Sequence, residues 1–294
     1  NLKMKKYFVA LVMLFLVVFP MSAQLLWKVS GKGLKQDSYL FGTHHLISIS
    51  FLDSIPGLYP AFNSSKAVVS EIVLNTLDAT QKIQTAATLP DSMLMSRLLS
   101  SEEFEMLDKE VSDLLKITLK QIDMLHPAMI QTFFQLELYK QMAHFDDNTK
   151  SDSYFQLVAN EKGMPIYGLE TIDKQVELLF PKEDLRKQAL ELVDVAKRKN
   201  EAYAELKELN RLYKIGDING LDRLNRKSNA NWSISDEENA EMVDNRNIAW
   251  ARQLPELMQS SSCFIAVGAL HLPGENGLIK LLKQEGYKVR PIVK

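Results

Sequence analysis

The chain has 294 residues, of which 46% are apolar and 24% charged, and its net charge is −2. That is ordinary globular composition, long enough to bury a core as one large domain. It carries no basic run, which excludes nucleic acid as an expected partner, and its single cysteine, Cys263, excludes an intrachain disulfide.

The N-terminus reads as a targeting segment. Lys3, Lys5 and Lys6 form a basic start, and Tyr7 to Phe19 is an apolar run of 13 residues. Pro20-Met21-Ser22-Ala23 then offers a small residue before a cut that leaves Gln24 first. Such a run is too short for an ordinary membrane span. Residues 1–23 are therefore expected to be a signal peptide, and residues 24–294 a single domain without a stable membrane span. The expected location is exported, periplasmic or extracellular. An uncleaved anchor is the alternative.

Two strands open the domain. Leu25 to Ser30 and Ser38 to Thr43 flank a turn-rich Gly31-Lys32-Gly33 segment, which predicts a hairpin. Leu58 to Ser64 reads as a short helix, and Lys66 to Val73 as a third strand with Glu71 at or near its end. From about residue 76 to 160 the pattern is helical. Ser100 with Glu103 three residues on is a capping box. Pro127 opens another helix, where its missing N–H is harmless. Asp152 to Lys162 is a further helix, stopped by Gly163.

Met164 to Glu170 is a fourth strand, again ending in a carboxylate. Residues 172–260 return to helix, with a long amphipathic stretch from Glu183 to Tyr213 and a further helix from Asp236 to Met258 capped by Ser235. The latter carries Arg246, Asn247 and Trp250. Cys263 to Val267 is a fifth strand. A helix from Leu278 to Gln284 and a strand from Gly286 to Ile292 close the chain, and this strand–helix–strand order implies a parallel crossover. The fold class is thus α/β with an α+β-like character. Its central mixed sheet is built from both chain ends, and two helical insertions, about 76–160 and 172–260, fill the middle.

One pattern occurs twice. Gly42-Thr43-His44-His45 and Gly268-Ala269-Leu270-His271 both follow an apolar strand. Glycine at a strand end permits close backbone approach. Parallel sheets place ligands beyond the carboxyl ends of their strands, so the two units are expected to deliver two imidazoles to one cleft. Being strand-end residues, these histidines are expected to support little of the core. Cys263 reads as packing rather than as a nucleophile.

These residues resemble a known family. Leu26-Trp27-Lys28-Val29, Tyr39 to His45, Val69-Ser70-Glu71, Gly168-Leu169-Glu170-Thr171 with Gln175, Arg246-Asn247 with Trp250, and Ala266 to Leu272 are similar, in order, to the motifs of the TraB/GumN family. That family includes the Tiki proteins, regarded as metal-dependent proteases, and is distantly related to ChaN-like and erythromycin-esterase-like proteins. The resemblance implies His45 and His271 as metal ligands with Glu71. It implies Glu71 and Glu170 as catalytic carboxylates and Arg246 as an accessory catalytic group. His44 beside His45 departs from the pattern, and neighbouring residues of extended chain point opposite ways.

Two imidazoles and a carboxylate suit a divalent Zn, Mn or Co ion. A carboxylate not bound to the ion would serve as general base, and Arg246 would hold a substrate carboxylate or an oxyanion. The expected function is an exported metal-dependent hydrolase, a peptidase acting on a peptide or protein substrate. Two alternatives stay open: a non-catalytic haem- or metal-binding envelope protein of ChaN-like type, and an interaction protein with a vestigial site.

Overall fold

The computed structural model describes residues 24–74, 77–142, 151–226 and 236–293. The expected signal peptide and the Ser235 cap lie outside the described residues. Among the described residues, no helix is long and apolar enough to cross a membrane.

Six strands form one mixed sheet: β1 (Leu26–Ser30), β2 (Ser38–Thr43), β3 (Ala67–Ser70), β4 (Ile166–Gly168), β5 (Cys263–Gly268) and β6 (Lys288–Pro291). Their order is β4-β3-β5-β2-β1-β6. The first four of these run parallel. β1 is antiparallel to both β2 and β6. The expected hairpin is therefore present, with Leu26 opposite Phe41 and Val29 opposite Ser38. β6 runs in the direction of β5, as the C-terminal crossover implied, but two strands lie between them. β3 and β5, from opposite parts of the chain, are apolar runs buried on both faces, as covered parallel strands require.

Two cores hold the molecule. The larger surrounds the sheet and includes Phe41, Phe62, Phe155, Phe264, Trp250 and Tyr213. The smaller is built by helices and their short connections and includes Leu107, Val111, Phe134, Leu192 and Leu206. The Ser100 box begins one of its helices, Ser101–Leu115: Ser100 N donates to Glu103 Oε2 at 2.7 Å, and Glu103 N to Ser100 Oγ at 3.3 Å.

Two helices differ from their expected form. The stretch Glu183 to Tyr213 is not one helix but two, Leu185–Lys197 and Lys199–Lys214, broken at Arg198. No glycine or proline marks the break. The first helix buries Ala189, Leu192 and Ala196 in the helical core, whereas the second contributes Ala202 and Leu206 to that core and Leu212 and Tyr213 to the sheet core. The second helix thus serves both cores. The stretch from Asp236 is likewise divided: a turn of α-helix, Asp236–Asn239, then a π-helical turn, Ala240–Asp244, then the helix Asn245–Ser260. A π turn inserts a residue into the ladder and rotates everything after it. Arg246 and Asn247 lie immediately beyond.

Candidate functional site

The carboxyl ends of β4, β3, β5 and β2 lie side by side, and each is followed within three residues by one of the sequence-predicted groups. Across the sheet these are Glu170, Glu71, His271 and His45. Two glycines make the arrangement possible. A side chain at Gly42 would come within 3.0 Å of the Ala269 backbone, so glycine lets the two Gly-x-x-His turns approach. A side chain at Gly268 would lie 3.2 Å from Glu71 Oε1, where instead Gly268 N donates to that oxygen at 2.8 Å.

The helix Asn245–Ser260 crosses this edge and lays Arg246 between the two carboxylates. Arg246 Nη2 lies 2.6 Å from Glu71 Oε2 and 2.6 Å from Glu170 Oε1, and Nε donates to Glu170 Oε2 at 3.1 Å. Nη1 donates to the Met242 carbonyl at 2.9 Å, within the π turn, and sits 3.3 Å from His271 Nε2. All five guanidinium donors thus have partners. Glu170 takes the two-pronged contact, the strongest geometry a carboxylate can make with arginine. Glu71 is held differently. Its Oε2 accepts from Arg246 and from Gln175 Nε2 at 3.2 Å, while Oε1 faces His271 Nε2 at 3.7 Å. Gln175 reaches Glu170 Oε1 as well, at 3.3 Å, from a helix capped by Thr171.

His271 is buried, at 5% exposure, which corrects the expectation that it supports little core. Its ring centroid is 4.4 Å from that of Trp250, whose face also carries the Arg246 guanidinium at 4.7 Å. Nδ1 lies 2.7 Å from Asn247 Oδ1. The first histidine pair behaves otherwise. His44 is half-buried, with Nδ1 accepting from Leu46 N at 3.0 Å, its carbonyl accepting from Ser151 Oγ at 2.8 Å, and its ring against Tyr213. His45 is exposed on the turn, close enough to Glu71 and His271 to act on both electrostatically.

The charges follow from these contacts. Burial pushes the His271 imidazole down to about 4, outweighing the pull of Glu71, so the ring is neutral at pH 7. Burial works against the Glu71 carboxylate too, but the positive charge that His271 can carry, that of Arg246, and the Gly268 N–H outweigh it and hold the group below the usual carboxylate range. Burial also opposes the Arg246 charge, and its contacts with Glu170 and Glu71 overcome it. Two carboxylates, one guanidinium and a neutral imidazole leave the cluster with one net negative charge.

The structure thus gathers Glu71, Glu170, Arg246 and His271 in direct contact and places His45 at the rim. Among the described residues, no three His, Cys, Asp or Glu side chains stand close enough to hold an ion as they are. Sequence reasoning assigned no role to Gln175 or Asn247, although both stood in the motifs it singled out. The family model described as the TraB/PrgY/gumN family matches residues 25–291. No curated protein and no solved structure gave a match.

Proposed function

Because the chain belongs to the TraB/PrgY/gumN family, we propose that this cluster is the site of a metal-dependent hydrolase acting on the amide bonds of a peptide or protein. One observation carries the reading: a neutral imidazole nitrogen and an ionised carboxylate oxygen face each other 3.7 Å apart inside a cluster with net negative charge. Two atoms each about 2.0–2.2 Å from one ion lie roughly 3–4 Å apart. His271 Nε2, giving up its contact with Arg246 Nη1, and Glu71 Oε1 would hold the ion, and His45, from the exposed turn, would complete the set. A divalent ion of the Zn, Mn or Co type would supply Lewis-acid polarisation and lower the pKa of its water.

The remaining residues divide the work. Glu170 anchors Arg246 through its two-pronged contact. Arg246 in turn fixes Glu71 and keeps it ionised, so that Glu71 is available as proton acceptor for the attacking water wherever it is not itself bound to the ion. Through Nε and Nη2, Arg246 acts on the two carboxylates. This charged lining suits a hydrolytic site better than the apolar surround a haem macrocycle requires. The basic start and apolar run of residues 1–23 support export, which would place the substrate in the periplasm or outside the cell.

The test is cleavage of a peptide library by purified protein, stripped with chelator and then supplied with Co²⁺, Mn²⁺ or Zn²⁺, read by mass spectrometry. The reading expects new peptide termini that depend on the ion, and a loss of roughly 10²–10⁴ in rate for Glu71→Gln if Glu71 is the base. Absence of cleavage with each ion, together with a chain that binds none of them, would contradict it.

A further inference from the structure

We infer that Asn247 is a positioning residue that locks the His271 imidazole in one tautomer, with the proton on Nδ1 and the lone pair on Nε2, facing Glu71. Both ends of the ring favour this state, the Asn247 end through the shorter contact. At one end, Asn247 Nδ2 donates to the His271 carbonyl at 3.3 Å, which fixes the orientation of the amide and leaves Oδ1 as the atom 2.7 Å from Nδ1. An amide oxygen only accepts, so Nδ1 carries the hydrogen. At the other end, Arg246 Nη1 lies 3.3 Å from Nε2. A guanidinium only donates, so Nε2 must accept.

A free histidine side chain in water favours the opposite tautomer, with its hydrogen on Nε2. In this site that hydrogen would point at Arg246, and Nδ1 and Oδ1 would meet as two acceptors. Water cannot take the place of the amide, because Asn247 is 0% and Trp250 1% exposed. The device is compact. Arg246 and Asn247 are consecutive on their helix and reach the two edges of one ring. The short turn Ala269–His271 brings the backbone carbonyl into the same grip. The partner on the far side of a ligating histidine sets which nitrogen is free to bind. The inference deepens the hydrolase reading, and only its consequence for metal affinity rests on that reading; the tautomer does not.

The test uses the metal-free full chain labelled with ¹⁵N-histidine, with the His271 signals assigned by their loss in His271→Gln. Long-range ¹H–¹⁵N correlation at pH 7 is expected to show a protonated Nδ1 and an unprotonated Nε2. Asn247→Leu should shift the ring toward the Nε2–H form, whereas Asn247→Asp, which keeps an acceptor oxygen, should retain the Nδ1–H form. Calorimetric titration with Co²⁺ alone should show affinity reduced about 10–100-fold in Asn247→Leu and largely restored in Asn247→Asp. A wild-type ring protonated on Nε2, or an Asn247→Leu ring unchanged from wild type, would overturn the inference. The wild-type spectrum decides alone if Asn247→Leu does not fold. A wild-type ring in the Nδ1–H form with no Co²⁺ binding would leave the lock standing and remove the metal reading.

Discussion

The two Gly-x-x-His turns leave neighbouring parallel strands in register, Thr43 opposite Gly268, yet their histidines meet different surroundings. His271 is walled in by Trp250, gripped by Asn247 and faced by Arg246. His45 stands exposed, and the structural work of its turn falls to His44, which receives the Leu46 N–H and packs against Tyr213. Strand ends decide where each histidine sits. What packs over the strand end from elsewhere decides what the histidine becomes. The helix Asn245–Ser260 covers the end of β5 and brings Arg246, Asn247 and Trp250 with it; these groups contact His271 and the two carboxylates. One imidazole is thus fixed by its neighbours, and the other is exposed at the rim.

Breaking the walled side should have the largest effect. Arg246→Met leaves Glu71 and Glu170 buried without their cation, at 18% and 8% side-chain exposure. Uncompensated charges of this kind cost about 3–5 kcal/mol, so urea unfolding should show a loss of that order. His271→Ala comes next. It leaves the Asn247 oxygen without its partner in a buried place, and the expected loss is about 2–3 kcal/mol by the same measurement.

The wild type should also carry a pH signature from His271. The folded ring takes up its proton at about 4, against an ordinary value of 6.5. Between those values the unfolded chain binds more protons than the folded one, so stability is present in full above about 6.5 and falls as pH drops toward 4. Denaturation midpoints across that window should slope downward with acid in the metal-free wild type and flatten in His271→Ala. The exposed side should be almost silent. His45→Ala is expected to shift stability by no more than about 0.5 kcal/mol, the range for a surface substitution. A large loss there would erase the contrast between the two turns.

Much of this arrangement was legible in the chain itself. Buried parallel strands have to be apolar runs, so β2, β3 and β5 announce themselves, and the residue that ends each run falls at the carboxyl edge of the sheet. That logic finds Glu71, His45 and His271, and it finds Glu170 because the strand before it begins with Met164-Pro165 after Gly163. What it does not find depends on rotation. Whether Arg246 faces one carboxylate or both, and whether Asn247 meets the ring or solvent, is set by the phase of a helix that the π turn Ala240–Asp244 has rotated. Residue identities in a helical pattern carry no mark of that inserted residue. The break at Arg198 was hidden for a related reason: it joins helices that serve two cores and carries no local helix breaker. The burial of His271 comes from Trp250, about twenty positions earlier and on another element.

The central claim is that the two unlike turns converge on one divalent ion. Titration of the metal-free protein with Co²⁺, followed by the visible absorption of the bound ion, tests it most directly. The account expects a single ion bound by the wild type and by His44→Gln, and no binding at comparable concentrations by His45→Ala or His271→Ala, with circular dichroism showing each variant folded. A His45→Ala protein that binds Co²⁺ as the wild type does, or a wild type that binds none, would contradict it.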